Sequence, residues 1–350
     1  MKIAALVSGG VDSSVALALL QEAGHDVTAF YLKIWLEDEV SHLGECAWEE
    51  DLRYVEQTCR LLDVPLQVLS LQREYWDTVV AETIAEVQQG LTPNADIWCN
   101  EKVKFGSFLK KIPVDFAKVA TGHYAQVEEQ KGAFWLKSAQ VPIKDQTYFF
   151  SRISQPQLAR AHFPIGHLPK AEVRRIAAAR RLPSCHRPDS QGICFLGKFK
   201  FSEFLRAHVG TRPGAIIDRD TSLTVGEHDG FWFYTIGQRQ GLGLSGGPWY
   251  VVDKDPEKNI VFVSRRVPAE LGVSTLALRH CNWIPTAPTA TDLHCKLRHG
   301  PTLNPATLRL HDASRATLTL QRPDANVAPG QSAVLYDGEY CLGGGIIAQA

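Results

Sequence analysis

The sequence has no run of about 18 or more apolar residues, the length that a membrane-spanning helix needs. It also has no cysteine pair spaced C-x-x-C, which argues against a classical zinc site and a thioredoxin-like motif. The first residues, MKIAALVSGG, hold one lysine and a short apolar run. We interpret this run as a buried strand, because a secretory signal needs a longer apolar segment. These absences predict a cytoplasmic protein with no membrane contact and no resident metal site.

The charge of the whole molecule gives no reason to expect a nucleic-acid partner, because the formal net charge of the 350 residues is −1. Locally the charge is uneven. Residues 158–187 carry seven Lys or Arg against one acid, whereas residues 36–56 carry eight acids against one arginine. The basic stretch could lie along phosphates, or it could be the solvated face of a helix. The eight scattered cysteines are expected to be reduced thiols.

Two kinds of secondary structure divide the chain. Residues 1–205 alternate apolar strands with helices, beginning with a strand at 3–7 and a helix at 13–23. This alternation predicts a doubly wound α/β domain with a parallel sheet. Later segments are short, rich in Val, Thr and aromatic residues, and separated by Gly, Pro and Asp. They predict two small antiparallel β domains, 206–270 and 271–350, of which the second resembles a barrel.

Directly after the first predicted strand comes the segment SGGVDSS (8–14), which opens the first predicted helix. Adjacent glycines let the backbone approach an anion, and the free N–H groups of a helix start point toward it. The segment has neither the Walker pattern nor the dinucleotide pattern G-x-G-x-x-G. It could also be a glycine turn in which Asp12 or Ser13 caps the helix. We predict a pyrophosphate-binding loop, because SGGVDSS in this position resembles the loop of the ATP pyrophosphatase (PP-loop) family.

Two cysteines lie in distinctive surroundings. Cys99 follows a turn-forming TPN segment and precedes a predicted helix over about 100–111, where the helix dipole and two nearby lysines would favour its thiolate. Cys194 lies in RPDSQGICFLG, where a polar turn opens into a short apolar run. Taken alone, either cysteine could be a small buried core residue.

Five motifs occur in one order: SGGVDSS, TPN-x-D-x-x-CN, ATGHYA, KDQTYF and SQGICF. Together they closely resemble the tRNA-specific 2-thiouridylase family. GQRQGLG (237–243), PWYVVDKD (248–255) and PGQSAVLYDGEYCLGGGII (329–347) extend the resemblance over essentially the whole chain. It implies a sulfurtransferase that uses ATP and Mg²⁺ to make 2-thiouridine at the wobble position (U34) of tRNA. The C2 oxygen would be adenylated, with release of pyrophosphate and then AMP.

The resemblance also implies catalytic roles. Cys194 would carry a persulfide received from a cysteine desulfurase or a sulfur-relay protein. Cys99 would attack that persulfide, or take part in the displacement directly, leaving a disulfide to be reduced. Asp96 would be the general acid or base. Asp12 would hold Mg²⁺ or steady the loop, and the motif leaves both roles open.

The implied binding residues fall into two groups. The nucleotide contacts are Leu6, Val7, Ser8, Gly9, Gly10, Val11, Asp12, Ser13, Leu32 and Gly122. The tRNA contacts are Asn94, Ala95, Asp96, His123, Lys144, Asp145, Gln146, Arg298, His299 and Gln331.

The sequence departs from the family pattern at three places. Leu32 stands where the family commonly has methionine. The family's Asn-Pro-Asp is Asn-Ala-Asp at 94–96, which loosens one φ angle but keeps both polar groups. Its Arg-Tyr-Arg-Gln is replaced at 298–301 by Arg-His-Gly-Pro.

A wobble uridine is a physically reasonable substrate, because it lies in a single-stranded loop and can leave the stack to expose C2. The implied partners are the tRNAs for Lys, Glu and Gln. A lysidine- or amide-forming PP-loop ligase is one alternative, and it would need neither cysteine. A non-enzymatic ATP- or RNA-binding module is a second. A thiol–disulfide oxidoreductase is a third, although it leaves SGGVDSS unexplained.

Overall fold

The structure, a computed structural model, describes residues 1–34, 47–189, 200–266 and 272–349. Its strands are β1 (Lys2–Leu6), β2 (Asp26–Lys33), β3 (Leu66–Ser70), β4 (Lys118–Ala120), β5 (Ala125–Gln130), β6 (Ala133–Ser138), β7 (Ala161–His162), β8 (Gly214–Asp218), β9 (Thr224–His228), β10 (Tyr250–Asp255), β11 (Ile260–Ser264), β12 (Val273–Trp283), β13 (Asp292–Lys296), β14 (Asn304–Leu310), β15 (Ala316–Asp324), β16 (Ser332–Asp337) and β17 (Tyr340–Ile347).

Two of the helical stretches contain wider π-helical turns, at Trp76–Val80 and at Cys99–Ser107. The α-helices are α1 (Val11–Glu22), α2 (Ala47–Leu62), α3 (Gln72–Tyr75), α4 (Ala81–Gln88), α5 (Ala95–Trp98), α6 (Phe108–Lys111), α7 (Gln155–Arg160), α8 (Lys170–Ala179) and α9 (Phe201–Val209). Short 3₁₀ turns lie at Pro142–Lys144, Thr147–Phe150 and Phe231–Phe233. Among the described residues, no helix combines the length and the apolar character needed to cross a membrane.

The first sheet is entirely parallel, with strand order β3-β2-β1-β4-β7. Apolar residues line both of its faces. Ile3 and Ala5 of β1 join one core cluster with Leu17 of α1, whereas Ala4 joins another with Phe108 of α6. Because successive strand residues point to opposite faces, burial of all three requires cover on both sides. The predicted doubly wound α/β arrangement is confirmed.

The second sheet has four strands in the order β10-β11-β8-β9. Its two hairpins, β8–β9 and β10–β11, are antiparallel as predicted. The pair β11–β8 is parallel, which differs from the expectation of a purely antiparallel domain. The reason is topological, because the connection between β9 and β10 brings the second hairpin back beside β8 in the same direction. Short-range sequence patterns report hairpins but not the order in which hairpins are placed.

The third sheet closes into a barrel. Six strands follow the order β12-β15-β14-β13-β16-β17, and β17 pairs again with β12. Closure is tight around three consecutive glycines of β17. A Cβ atom on Gly343 would lie 2.1 Å from the carbonyl oxygen of Asn282, and one on Gly344 would lie 2.0 Å from that of Ala333. Since neither distance is possible for a real Cβ, the glycines let neighbouring backbones meet there.

The barrel is not independent of the first part of the chain. The hairpin β5–β6 pairs with the beginning of β17, through Tyr340 opposite Lys137 and Cys341 opposite Leu136. A buried ion pair adds to this joint. The Nζ atom of Lys296 lies 2.8 Å from Oδ2 of Asp145, and the two side chains are 4% and 2% exposed. The same carboxylate accepts hydrogen bonds from the Ala139 amide and the Thr147 hydroxyl.

We predict that Lys296→Met destabilises the protein by about 3–5 kcal/mol, because it leaves the Asp145 charge buried without its cation. Urea unfolding measures the change. The double variant Lys296→Met/Asp145→Asn should recover much of the loss. Arg315→Met, which removes an exposed ion pair with Asp312, is the control and should change little. An unfolding midpoint of Lys296→Met equal to that of the unmodified protein would contradict the prediction.

Candidate nucleotide and thiol site

The predicted phosphate loop lies between the carboxyl end of β1 and the first turn of α1. Gly10 is the N-cap residue and makes no side-chain capping bond, so Asp12 and Ser13 lie inside the helix and do not cap it. Hydrogen bonds of the serines connect residues within the loop. The Ser8 amide donates to Oγ of Ser13 (3.1 Å), and the Ser14 hydroxyl donates to the Gly10 carbonyl (2.9 Å). The helix start therefore keeps backbone N–H groups available for an anion.

Gly9 has a positive φ of 77° and touches the rest of the protein closely. A Cβ atom there would lie 2.6 Å from the Asp51 carbonyl oxygen and 3.0 Å from Nη1 of Arg187. The Arg187 guanidinium donates to the Gly9 carbonyl (3.0 Å) and to the Asp51 carboxylate (2.7 Å), and it covers the ring of Tyr54. The outer side of the loop is thus braced by Arg187.

Asp12 is bonded on both carboxylate oxygens. Lys170 Nζ lies 2.7 and 2.8 Å from Oδ1 and Oδ2, and the Tyr124 hydroxyl donates to Oδ1 at 2.8 Å. Oxygen ligands of this kind suit Mg²⁺, but here they are used by Lys170 and Tyr124. Of the two roles left open for Asp12, this geometry favours support of the loop. Across the described ranges, no group of three or more His, Cys, Asp or Glu side chains could hold a metal ion.

The strand order brings Gly122 to the phosphate loop. β1 has β2 on one side and β4 on the other, so the chain reverses direction across the sheet beside β1, where ligands bind in such folds. Gly122 follows β4, and a Cβ on it would lie 2.6 Å from the Ser13 amide nitrogen. Leu6 ends β1, and Leu32 lies near the end of β2. The predicted nucleotide contacts are therefore brought together at one edge.

His123 follows Gly122 directly, in the segment between β4 and β5. Its Nδ1 atom lies 2.8 Å from the Thr121 hydroxyl, and its ring meets that of Phe150 edge-on at 4.9 Å. Burial lowers the pKa of His123 well below its usual value, and the charge of Lys104 lowers it further. His123 is therefore a neutral imidazole at physiological pH, able to donate or accept one hydrogen bond.

The helix that carries Cys99 begins earlier than predicted. Asn94 is its N-cap and accepts a hydrogen bond from the Ile97 amide (3.3 Å), so helical structure starts at Ala95 and not near 100. Asp96 lies in the first turn, where a negative charge is favourable. Cys99 lies one turn further in, at the start of the π-helical segment, and is 1% exposed in the hydrophobic core. Asp96 and Cys99 are three residues apart on a helix, a spacing that places them on one face.

The two lysines beside Cys99 in the sequence have other partners. Lys102 forms an ion pair with Glu82 and lies over the ring of Trp98. Lys104 donates to the side chain of Asn100 (3.0 Å). Asn100, which is 1% exposed, in turn donates to the Phe149 carbonyl (3.1 Å).

The barrel contributes directly to the start of this helix. Gln331 donates through Nε2 to the Thr92 carbonyl (2.8 Å), and the Thr92 amide donates to the Pro329 carbonyl (2.7 Å). Tyr148 donates through its hydroxyl to the Ser332 carbonyl (3.0 Å). The predicted tRNA contacts at 94–96 and at Gln331 are therefore neighbours in space.

The segments 144–146 and 298–299 also meet. Nε2 of His299 lies 3.1 Å from the Asp145 carbonyl oxygen, and its ring stacks on Phe149 at 4.7 Å. Gln146 accepts a hydrogen bond from the Tyr124 amide, which links this loop to the phosphate loop. The Asp145 carboxylate faces the interior, and Arg298 is paired with Asp324.

The basic stretch 158–187 is largely used inside the protein. Six of its seven cations are bonded to other groups of the protein, although Arg175 stays 70% exposed in its pair with Glu172, so most of the stretch supports the fold and does not form an open phosphate-binding face. These contacts are Arg160 with the Phe116 and Ala117 carbonyls, Lys170 with Asp12 and Asp189, Arg174 with Asp189, Arg175 with Glu172, Arg180 with Glu22, and Arg187 with Asp51.

Cys194 lies outside the described residues, so its predicted partnership with Cys99 stays a prediction. Sequence reasoning missed several residues that hold the site: Tyr124, Asn100, Lys170 and Arg187. The basic stretch contained Lys170 and Arg187, and the ATGHYA motif contained Tyr124. Their acidic and carbonyl partners are distant in sequence, which is why the pattern alone did not reveal them.

We predict that Gly122→Ala weakens binding of ATP by at least about tenfold, equivalent to about 1.4 kcal/mol, because its Cβ would displace the helix start at Ser13. Isothermal titration calorimetry measures the affinity. Thermal unfolding of the nucleotide-free variant is the control, because it separates a loss of ATP binding from a loss of folding. Equal affinities of Gly122→Ala and the unmodified protein would show that the loop does not depend on this contact.

Three family models match the chain in succession. They are described as a tRNA methyl transferase HUP domain (residues 1–198), a tRNA methyl transferase PRC-barrel domain (202–265) and an aminomethyltransferase beta-barrel domain (273–347). A solved structure, the U34-tRNA thiolase NcsA from Methanococcus maripaludis, covers 55% of this chain and 61% of that chain. Its 16% identity and TM-score of 0.36 are too low to bear on function.

Curated relatives match the whole length and are named thiouridylases, not methyl transferases. The tRNA-specific 2-thiouridylase MnmA of Parabacteroides distasonis is 44% identical over 360 residues, covering 99% of each chain. MnmA 1 of Bacteroides thetaiotaomicron is 43% identical over 358 residues, covering 100% of each. Porphyromonas gingivalis MnmA is 41% identical over 361 residues, covering 100% of this chain and 99% of the relative. Full-length identity of this size decides between the two descriptions, and the chain belongs to the tRNA-specific 2-thiouridylase family.

Proposed function

We propose that this sulfurtransferase converts the wobble uridine (U34) of tRNA into 2-thiouridine, with ATP as the activating substrate. One observation carries the proposal. The segment Thr121–Tyr124 touches the phosphate loop through Gly122 and Tyr124, and the loop at 144–146 through the Tyr124 amide. A nucleotide on the loop and a base near Cys99 would therefore lie on two sides of one short segment.

In the first half-reaction, the C2 oxygen of the uridine attacks the α-phosphorus of ATP and pyrophosphate leaves. The N-terminus of α1 receives the phosphates, and its serines and Arg187 hold the loop in shape. Mg²⁺ enters with ATP as part of the substrate, since the Asp12 oxygens are already bonded to Lys170 and Tyr124. Adenylation turns the C2 oxygen into a good leaving group.

In the second half-reaction, a persulfide on Cys194 supplies sulfur. Cys99 attacks the Cys194 sulfur, forms the Cys99–Cys194 disulfide and frees hydrosulfide, which adds at C2 and displaces AMP. Alternatively, the persulfide attacks C2 first and Cys99 resolves the adduct to the same disulfide. An external thiol then reduces the disulfide. Because Cys99 is 1% exposed, the persulfide on Cys194 has to be brought to it. A disulfide between the two cysteines requires their Cα atoms to lie within roughly 7 Å of each other.

Asp96 and His123 complete the proposed chemistry. Asp96 lies one helical turn before Cys99 and can move a proton as N3 of the uridine gains and loses charge. Neutral His123 can hydrogen-bond a base edge without adding charge. The tRNA would be gripped by 94–96, 144–146, 298–299 and Gln331. Its proposed partners are the tRNAs for Lys, Glu and Gln, and a cysteine desulfurase or relay protein as sulfur donor.

We predict that Asp12→Asn lowers tRNA-dependent pyrophosphate release by roughly 100-fold, since a loop misplaced by about 1 Å costs that much. The amide keeps the shape of the side chain but loses the charge that holds Lys170. A radiolabelled-ATP assay measures the rate, and thermal unfolding confirms that the variant folds. Release at the unmodified rate would refute the role of this loop.

We predict that the two thiols fail at different steps. Cys194→Ser should retain no sulfur from a desulfurase, because a hydroxyl forms no persulfide. Cys99→Ser should load sulfur on Cys194 yet make no 2-thiouridine. Both should still release pyrophosphate, since neither substitution alters the phosphate loop.

Intact-protein mass spectrometry with peptide mapping locates the added sulfur, and nucleoside analysis of the tRNA measures the product. Cys185→Ser is the matched control, because Cys185 is a half-buried thiol earlier in the same segment of the sequence. Persulfide on Cys99 in the Cys194→Ser protein would reverse the roles. Normal thiolation by either variant would exclude the two-cysteine mechanism.

A further inference from the structure

Asp189 gathers three cations from two parts of the chain, Lys170 and Arg174 of α8 and Lys144 of the 3₁₀ turn Pro142–Lys144. Its carboxylate lies 2.8 Å from Nζ of Lys170, 2.7 Å from Nη2 of Arg174 and 3.2 Å from Nζ of Lys144. Burial opposes ionisation of Asp189, but hydrogen bonds from Lys170 and Lys144 outweigh it and hold its pKa at about 2. The carboxylate is therefore charged at any physiological pH.

Two of these cations belong to the two proposed binding regions. Lys170 also bonds both oxygens of Asp12 in the phosphate loop. Lys144 is the first residue of the proposed tRNA-contacting loop and is 39% exposed. Charges of opposite sign thus alternate along one chain of contacts, from Lys144 through Asp189 and Lys170 to Asp12.

We propose that Asp189 is a shared counter-ion through which nucleotide and tRNA binding oppose one another. The inference rests on the proposed function, because it takes the phosphate loop and Lys144 as contacts for the two substrates. Each substrate is a polyanion that competes with Asp189 for one lysine. When nucleotide and tRNA are both bound, Arg174 is the one cation of the three that stays paired with Asp189.

The sign of the coupling follows from this competition. When tRNA phosphate draws Lys144 away, Asp189 attracts Lys170 more strongly and pulls it from the loop, which weakens nucleotide binding. When nucleotide phosphates attract Lys170, Asp189 depends more on Lys144 and holds it back from tRNA. Thermodynamic linkage requires the two effects to be equal in size.

The test measures affinity for an ATP analogue with a methylene group between the α and β phosphates, so that adenylation cannot occur. Titration calorimetry at fixed salt gives its Kd without tRNA and with a saturating tRNA transcript. The coupling factor is the Kd with tRNA divided by the Kd without tRNA. For the unmodified protein it should be at least about five, the lower end of typical coupling. In Asp189→Asn that factor should fall to about one, and each substrate alone should bind at least as tightly as before.

The matched control is Glu172→Gln, which makes the same acid-to-amide change in an exposed pair with Arg175 on the same helix. It should leave the coupling factor unchanged. An unmodified protein that binds both substrates without coupling, or an Asp189→Asn protein that keeps the full factor, would overturn the inference while the proposed function stands. Failure of the unmodified protein to bind tRNA would overturn both.

A second variant covers the case in which Asp189→Asn does not fold. Lys144→Met breaks the same chain of contacts at its more exposed end and leaves Lys170 and Arg174 on Asp189. The coupling factor should again fall to about one, with weaker tRNA binding. Retention of the factor in this variant would overturn the inference.

Discussion

The site depends on one constraint of parallel sheets, that neighbouring strands deliver their following loops to the same edge. β1 ends in the phosphate loop and β4 ends just before Gly122, and the two strands are adjacent. The chain reaches β4 only after about a hundred residues, yet Gly122 touches Ser13 because strand direction leaves no other place for it. The helix with Cys99 belongs to the segment between β1 and β4, and the two ends of that segment are held side by side in the sheet.

The barrel then fixes the loop at 144–146, which lies beside that edge of the sheet. It shares the β5–β6 hairpin with the first part of the chain, and the Lys296–Asp145 pair holds the loop that contains Lys144 and Gln146. Breaking a buried pair is expensive, so Lys296 holds Asp145 of this loop against the barrel. A sheet formed by the last eighty or so residues is for this reason part of the site and not an appended module.

Elements with local signals were predictable. The strand and helix around SGGVDSS, the parallel sheet and the barrel follow from periodicity and turn residues. The start of the Cys99 helix at Ala95 was missed, although Asn94 is a good N-cap residue, because the proline before it suggested a longer turn. The parallel pairing of β11 with β8 and the ionic partners of Lys170 and Arg187 depend on contacts between distant residues. No window of sequence contains both members of such a pair.

The use of charge follows from the same geometry. A stretch as basic as 158–187 suggests an open surface for phosphates, but its side chains neutralise Asp12, Asp51 and Asp189 around the loop. Each of these ion pairs joins one cation to one anion, so the pairing leaves the net charge of −1 unchanged but makes those cations less available to a phosphate. Backbone N–H groups at the start of α1 carry no net charge and need no counter-ion, and we propose that they receive the phosphates beside the Lys170 ammonium, which Asp12 and Asp189 already share. Lys144 is paired with Asp189 in the same way, so a phosphate that contacts Lys144 has to share this lysine with a carboxylate of the protein.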